Sequence, residues 1–257
     1  MDILLIGCGR MGGAMARGWE GRHRVFVHDP MVDHLPAGAE RVAALDTFEA
    51  GDDLAVVLAV KPQMFASLAG ALKPLGARSL LAVSIMAGIP LAALGEALGE
   101  RVVRAMPNTP AAIGKGITAA VAGVGVRAGD RDVVDMLLAP TGALVWLDDE
   151  AQIDAVTALS GSGPAYFFRF TEALAKAGID EGLPPALAMQ LARATFSGAA
   201  ALADADTAPL AELRAQVTSP GGTTAAGLAR MDEKDAIDRL ARSVVEAAAA
   251  RSRELAG

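Results

Sequence analysis

Near its start the chain reads Ile3-Leu4-Leu5-Ile6-Gly7-Cys8-Gly9-Arg10-Met11-Gly12, an apolar run followed by glycines in the spacing Gly-x-Gly-x-x-Gly. The apolar run is typical of a parallel strand buried on both faces, and the next residues, 13–19, continue as a helix. Strand, glycine spacing and helix in succession predict a dinucleotide-binding turn. We expect Gly7 to make the tight turn, Gly9 to let a pyrophosphate approach the backbone, and Gly12 to let helix and strand pack closely. The alternative is a structural glycine-rich turn. The intervening residues belong to the same predicted cofactor site: Cys8, Arg10 and Met11.

Further apolar runs predict the rest of a doubly wound, Rossmann-type sheet. They cover residues 24–28, 54–60, 79–83, 102–105, 117–121 and 143–147. In open α/β sheets, ligands bind beyond the carboxyl ends of the strands. Residues that follow these strands are therefore candidates for the same crevice as the glycines.

Asp29 follows the second strand, about 20 residues after the glycines, where NAD-binding folds hold the adenine ribose hydroxyls. Its charge would repel a 2′-phosphate, so the sequence favours NADH over NADPH. The alternative is a turn-forming Asp-Pro pair.

Two other strand ends carry candidate cofactor residues. The third strand ends in Ala59 and Val60, followed by Lys61 and Pro62. The lysine is predicted either to contact phosphate or ribose or to be solvated. Asn108, in a proline-rich turn, is predicted to hydrogen-bond the cofactor's carboxamide or the substrate, with an ordinary turn as the alternative.

After residue 150 the periodicity changes from strand to helix. This predicts two domains, a dinucleotide-binding domain over residues 1–150 and an all-α domain over residues 151–257. The predicted helices cover residues 154–159, 165–178, 184–202, 209–217 and 234–255. The long helix after Gly163 is apolar on nearly all sides, which implies burial on every face. Packing against a second copy would provide that burial, so we expect a homodimer through this half.

A second motif, Ser219-Pro220-Gly221-Gly222-Thr223-Thr224, lies late in the chain. The glycines permit a sharp turn, and Thr223 or Thr224 is expected to cap a new helix. Orphan N–H groups and the helix dipole at such a terminus bind an anion without Arg or Lys. The expected ligand is a small carboxylate, and an ordinary helix cap is the alternative.

Composition excludes several classes of function. A formal charge of −7 and a pI near 5.0 argue against nucleic acid or an anionic membrane surface as partner. One cysteine excludes an internal disulfide, makes a structural zinc site improbable, and suits the reducing cytoplasm. We see neither a signal peptide nor an apolar run of membrane-spanning length. The three histidines all precede residue 35, so none is left in the second half as a catalytic acid or base.

Five motifs follow one another in this order: the glycine-rich motif, Ala59-Val60-Lys61-Pro62, Met106-Pro107-Asn108-Thr109-Pro110-Ala111, Leu159-Ser160-Gly161-Ser162-Gly163-Pro164-Ala165-Tyr166 and the Ser219 motif. In these motifs the chain resembles pyrroline-5-carboxylate reductase. The resemblance covers essentially the whole length, and its last two motifs are the specific ones. It implies reduction of 1-pyrroline-5-carboxylate to L-proline by NADPH or NADH, the last step of proline biosynthesis. It also implies interlocked dimers, commonly assembled into larger rings.

The resemblance further implies the site residues of the late motif. The carboxylate-binding loop falls on Ser219 to Thr224, which includes Gly221. Backbone amides of Gly222, Thr223 and Thr224 would hold the carboxylate, and the Thr224 hydroxyl would lie near the ring nitrogen. Asp29 departs from the Ser or Thr that many members carry there, which puts NADPH in doubt.

Two rival functions have weaker support. A 3-hydroxyacid dehydrogenase would place a lysine where Phe167 stands, and Lys176 is the only lysine later in that helix. Without His or Lys at the carbinol, that oxidation would lack a base. A catalytically silent dinucleotide sensor would have no use for the late loop.

Overall fold

The computed structural model describes residues 1–256 with the exception of 50, 52 and 79. The chain divides into two compact units. One comprises residues 1–162 together with the chain from 248 onward, and the other comprises residues 163–247. The predicted domain boundary at residue 150 lies shortly before this division.

Within the described residues, the first unit contains one eight-stranded sheet in the order β3-β2-β1-β4-β5-β6-β7-β8. Its strands are β1 (Asp2–Ile6), β2 (Arg24–His28), β3 (Glu40–Arg41), β4 (Leu54–Leu58), β5 (Leu81–Ser84), β6 (Val102–Met106), β7 (Gly116–Ala122) and β8 (Gly142–Leu147). All neighbouring pairs are parallel except β6 with β7. The predicted doubly wound sheet is therefore confirmed. The predicted third strand was two residues too long, β3 was not predicted, and residue 79 of the predicted fourth strand lies outside the described residues.

Helices cover both faces of this sheet. They are α1 (Arg10–Trp19), α2 (Phe65–Gly76), α3 (Leu91–Leu98), α4 (Ala128–Leu138) and the short α5 (Ile153–Val156). Along β1, Ile3 and Leu5 pack into one apolar cluster, while Leu4 and Ile6 pack into a second one on the opposite face. This alternation explains why the strand is apolar throughout, since successive side chains point to opposite faces and both faces are covered.

The second unit is helical. It contains α6 (Gly163–Asp180), α7 (Pro185–Ala205), α8 (Leu210–Gln216) and α9 (Thr223–Asp232), and α10 (Ala236–Ala256) starts in it and ends in the first unit. Phe196 of α7 contacts the rings of Phe167 and Phe168 on α6, with centroids 6.2 and 6.1 Å apart. Among the described residues, no helix is long and apolar enough to cross a membrane.

A buried carboxylate fixes the start of α4. Asp130 accepts hydrogen bonds from Arg101 Nη2 at 2.6 Å and Nε at 2.9 Å, and from the backbone N–H of Arg127 at 2.8 Å. The side-chain hydrogen bond from Arg101 is the largest cause that lowers the pKa of Asp130, and the hydrogen bond from Arg127 adds to it against the effect of burial. The carboxylate is thus held in its charged form.

This lowered pKa predicts a pH-dependent contribution to stability. The contribution is complete above the ordinary aspartate pKa of about 3.9 and is lost as the pH falls through the lower folded-state pKa. We expect Asp130→Asn to lower the free energy of unfolding at neutral pH by about 2 kcal/mol. Urea denaturation should show the difference from wild type shrinking as the pH falls below about 4. An undiminished difference in acid would contradict the assignment.

Candidate functional site

The glycine-rich turn joins β1 to α1 with no room for side chains at two positions. Gly7 has φ +94°, and a Cβ placed there would lie 2.7 Å from the carbonyl carbon of Ala59. A Cβ on Gly12 would lie 2.2 Å from the carbonyl oxygen of Gly7. A Cβ on Gly9 would meet nothing within 4 Å. The turn therefore has the shape that a pyrophosphate requires, tight behind the backbone and open in front of Gly9.

Asp29 follows the last residue of β2 and forms a hydrogen bond with the glycine-rich turn. Its Oδ2 accepts a hydrogen bond from the backbone N–H of Cys8 at 2.7 Å, and its Oδ1 accepts one from Met31 at 2.9 Å. Arg41 donates to the carbonyl oxygens of Asp29 and Val32 at 3.2 and 2.8 Å. Asp29 thus supports the backbone of the turn, a role that its position after a strand does not reveal. Each carboxylate oxygen still has a lone pair for a ribose hydroxyl.

The Cys8 side chain is buried beside this carboxylate. Burial raises the pKa of the Cys8 thiol, and the charge of Asp29 raises it further, against smaller effects of Arg17 and Arg41. The thiol therefore stays protonated at neutral pH, and the position contributes its backbone N–H to the turn rather than a nucleophile.

One cleft of about 410 Å³ opens at the carboxyl ends of β1, β4 and β6. We refer to it as the Asn108 cleft. Its lining contains the predicted residues Gly9, Arg10, Met11, Ala59, Val60, Lys61 and Asn108. Pro62 instead begins a short 3₁₀ helix, Pro62–Met64. Six further lining residues were not predicted as cofactor residues: Ile85, Ala87, Met106, Pro107, Thr109 and Gly161. Four of these, Met106, Pro107, Thr109 and Gly161, lie within motifs quoted for the resemblance, which was the available signal that they belong to the cleft.

Asn108 is oriented by the backbone. Its Oδ1 accepts a hydrogen bond from the N–H of Ile117 at 3.0 Å, and it precedes the 3₁₀ helix Thr109–Ile113. The amide NH₂ group keeps its donors for another acceptor. This arrangement suits recognition of a carbonyl oxygen in the Asn108 cleft.

A second cleft, of about 390 Å³, lies on the other side of the turn, and we refer to it as the Arg17 cleft. It is lined by Cys8, Gly9, Arg10, Arg17 and His34, among others. The exposed guanidinium groups of Arg10 and Arg17 give it positive charge, which Glu20 in the same lining partly offsets. Arg17 and His34 were not predicted as cofactor residues.

The late loop belongs to the second unit. Gly221 has φ +70°, and the N–H of Gly222 donates to the carbonyl of Ser219 at 3.0 Å. The N-cap of α9 is Gly222, so the prediction that a threonine caps this helix is wrong. Thr223 and Thr224 lie in the first turn of α9, and Gly222 before them is the N-cap residue.

The residue at which α9 begins determines which backbone N–H groups are free to donate at its N-terminus. The N–H of Ala226 makes the first intrahelical hydrogen bond, to the carbonyl of Gly222 at 3.1 Å. The N–H groups of Thr223, Thr224 and Ala225 precede that bond and point out of the helix end. The Gly222 N–H is used inside the turn, so the donor set is shifted by one residue from the predicted one. The geometry can hold a carboxylate.

The two parts of the chain match two family models. Residues 150–255 match the family model described as pyrroline-5-carboxylate reductase dimerisation, and residues 2–88 match that described as NADP oxidoreductase coenzyme F420-dependent. The chain is 43% identical to pyrroline-5-carboxylate reductase of Pseudomonas aeruginosa over 88% of this chain and 80% of that one.

Solved structures agree with the sequence relatives. A pyrroline-5-carboxylate reductase from Coxiella burnetii superposes with a TM-score of 0.89 at 30% identity, over 99% of this chain and 98% of that one. The pyrroline carboxylate reductase of Plasmodium falciparum with NADP bound superposes with a TM-score of 0.79 at 29% identity, over the whole of both chains.

Proposed function

Because this chain belongs to the pyrroline-5-carboxylate reductase family, we propose that its glycine-rich turn and its late loop serve one reaction. The chain reduces the C=N bond of 1-pyrroline-5-carboxylate to give L-proline, with a reduced nicotinamide dinucleotide as the donor. This is the last step of proline biosynthesis. The proposal is supported by the tight glycine-rich turn and by the helix terminus after Gly222, both in a chain related to the family over nearly its full length.

The residues of the first unit fit a nicotinamide dinucleotide. The turn leaves open space in front of Gly9, where a pyrophosphate would approach the backbone N–H groups at the start of α1. Asn108 would donate to the carboxamide oxygen, and Lys61 would lie near phosphate or ribose. When bound, the reduced cofactor supplies the hydride that the imine carbon accepts, while the nitrogen receives a proton.

Asp29 bears on the choice between NADH and NADPH. Its charge opposes a 2′-phosphate, and the hydrogen bonds that it accepts from Cys8 and Met31 fix the position of the carboxylate at the end of β2. We propose that it favours NADH. The Plasmodium falciparum relative was solved with NADP bound, so the proposed preference for NADH would come from residues of this chain such as Asp29 rather than from the fold.

The late loop would hold the substrate. A protonated cyclic imine is already electrophilic, so hydride transfer requires positioning more than a strong acid. The N–H groups of Thr223, Thr224 and Ala225 would bind the substrate carboxylate, with Ser219, Gly221 and Gly222 shaping the turn. The Thr224 hydroxyl would hydrogen-bond the ring nitrogen and orient the C=N bond, which makes it the proposed catalytic residue.

The second unit carries the proposed homodimer. Several of its apolar side chains are exposed in a single chain, on α6 above all: Phe167, Phe168, Phe170, Leu174 and Ile179. A match to the family's dimerisation model over residues 150–255 supports burial of this surface by a second copy. We further propose that these dimers assemble into a ring.

The cytoplasm is the proposed compartment, supported by the single unpaired Cys8.

The proposed function is tested by initial rates on 1-pyrroline-5-carboxylate, with NADH and NADPH side by side and proline identified as the product. We expect turnover with both cofactors and a higher rate with NADH than with NADPH, since Asp29 opposes the extra phosphate. A rate with NADPH more than about tenfold above that with NADH would refute the role given to Asp29. Tight binding of a dinucleotide and a proline analogue without turnover would refute the enzyme.

A further inference from the structure

The strand β6 carries a buried charged side chain, Arg104, close to the Asn108 cleft. Arg104 of β6 is only 6% exposed. A guanidinium at such a position is costly unless it is paired. Its partner is Glu150, whose Oε1 accepts from Arg104 Nη1 at 2.6 Å and from the backbone N–H of Leu91, the first residue of α3, at 2.7 Å. One carboxylate oxygen thus joins β6 and α3 to the segment that begins at residue 150.

That segment ends in the wall of the Asn108 cleft. It runs from Glu150 through α5 into a π-helical turn, Thr157–Gly161, and Gly161 lines the cleft. A hydrogen bond of 2.6 Å from Ser252 to Asp154 holds its middle. π-helical turns are rare and occur frequently at functional sites.

Gly161 is packed against the same strand that carries the arginine. A Cβ on Gly161 would lie 3.0 Å from Cε of Met106, which also lines the cleft. Met106 and Arg104 are two residues apart on β6, so their side chains are on the same face of the sheet. The Arg104–Glu150 pair therefore fixes the start of a short segment whose last residue, Gly161, packs next to Met106.

We propose that Arg104 and Glu150 are positioning residues for the nicotinamide half of the cofactor. They act through Gly161 and Met106, by holding the π-helical turn as a wall of the Asn108 cleft. The inference rests on the proposed function, because it assigns that cleft to the nicotinamide and leaves the adenosine half to residues on the other side of the glycine-rich turn.

A second ion pair provides the control. Arg101 immediately precedes β6 and pairs with the buried Asp130 of α4, at the opposite end of the strand from the cleft. Arg104→Met and Arg101→Met each remove the arginine of an ion pair, with Glu150 31% exposed in the first pair and Asp130 5% exposed in the second, but only the first variant touches the segment that ends at Gly161. A general loss of stability would affect both variants alike.

The test compares the affinities of NADH and ADP-ribose, which lacks the nicotinamide. For Arg104→Met we expect the Kd of NADH to rise about tenfold, while that of ADP-ribose stays within about twofold of wild type. Arg104→Lys should recover part of the NADH affinity, and Arg101→Met should leave the ratio of the two Kd values unchanged. Calorimetry measures both ligands, and thermal melting reports the folded state.

Other outcomes would overturn the inference. It is wrong if the two Kd values change together in Arg104→Met, or if Arg101→Met changes their ratio as much. Should Arg104→Met not fold, Glu150→Gln is the second variant, since it removes the charge and keeps an oxygen for Leu91, and an unchanged ratio there refutes the inference. Wild-type protein that binds neither ligand would instead refute the proposed function, and the inference with it.

Discussion

Gly12→Ala is expected to abolish measurable NADH binding, with a Kd at least about 100-fold above that of wild type. The new Cβ would lie 2.2 Å from the carbonyl oxygen of Gly7 and 3.1 Å from Cβ of Ala59. Both neighbours belong to the turn and the strand end behind it, so relief requires movement of the backbone that the cofactor would contact. Overpacking of this kind costs about 1–3 kcal/mol, so the melting temperature should fall as well.

Gly9→Ala is the matched control for this clash. Its Cβ would meet no protein atom within 4 Å, so the melting temperature should not change. The same methyl group would occupy the space that we assign to the pyrophosphate, and NADH affinity should still fall. Fluorescence titration with NADH and thermal melting separate the two effects. Wild-type NADH affinity in Gly9→Ala would show that the pyrophosphate does not approach the turn there.

Removal of the Thr224 hydroxyl is expected to lower kcat/KM for 1-pyrroline-5-carboxylate by about 10- to 100-fold. This range corresponds to a charge-assisted hydrogen bond of about 1.5–3 kcal/mol. Thr224→Val keeps the branched shape and the backbone N–H, so carboxylate binding by the helix terminus should survive. The side chain is exposed in the single chain, so little stability should be lost.

Thr224→Ser restores the hydroxyl and is expected to recover most of the activity. Steady-state kinetics of both variants, with the affinity for proline measured separately, test the role of the oxygen rather than that of the loop. Equal kcat/KM for Thr224→Val and wild type would remove Thr224 from the mechanism. A loss of proline affinity without a change in kcat would assign the hydroxyl to binding alone.

Much of the sheet was predictable from local pattern. Each of the seven predicted strands corresponds to a strand of the sheet. Central strands such as β1 and β4 are apolar along their length because both of their faces are covered. The glycine-rich turn was predictable for a related reason, since only glycine tolerates the close approach seen at Gly7 and Gly12. By contrast, β3 is a two-residue strand, Glu40–Arg41, with no apolar pattern to reveal it.

Details of the helix ends were less predictable. The α9 helix begins one residue earlier than a threonine cap requires, because Gly222 adopts the N-cap conformation itself. The predicted break after residue 159 is a π-helical turn that continues α5 as far as Gly161. In both cases the residue types permit several local geometries, and packing around the segment selects one.

The amino-acid sequence by itself determined the class of fold, the dinucleotide turn and the helix terminus suited to a carboxylate, because each depends on residues close together in the chain. Only the tertiary structure decided which distant polar groups meet. Asp29 supports Cys8 across 21 positions, and Glu150 neutralises Arg104 across 46. Such pairs follow no local period. They are selected because a buried charge must find a partner wherever the folded backbone provides one.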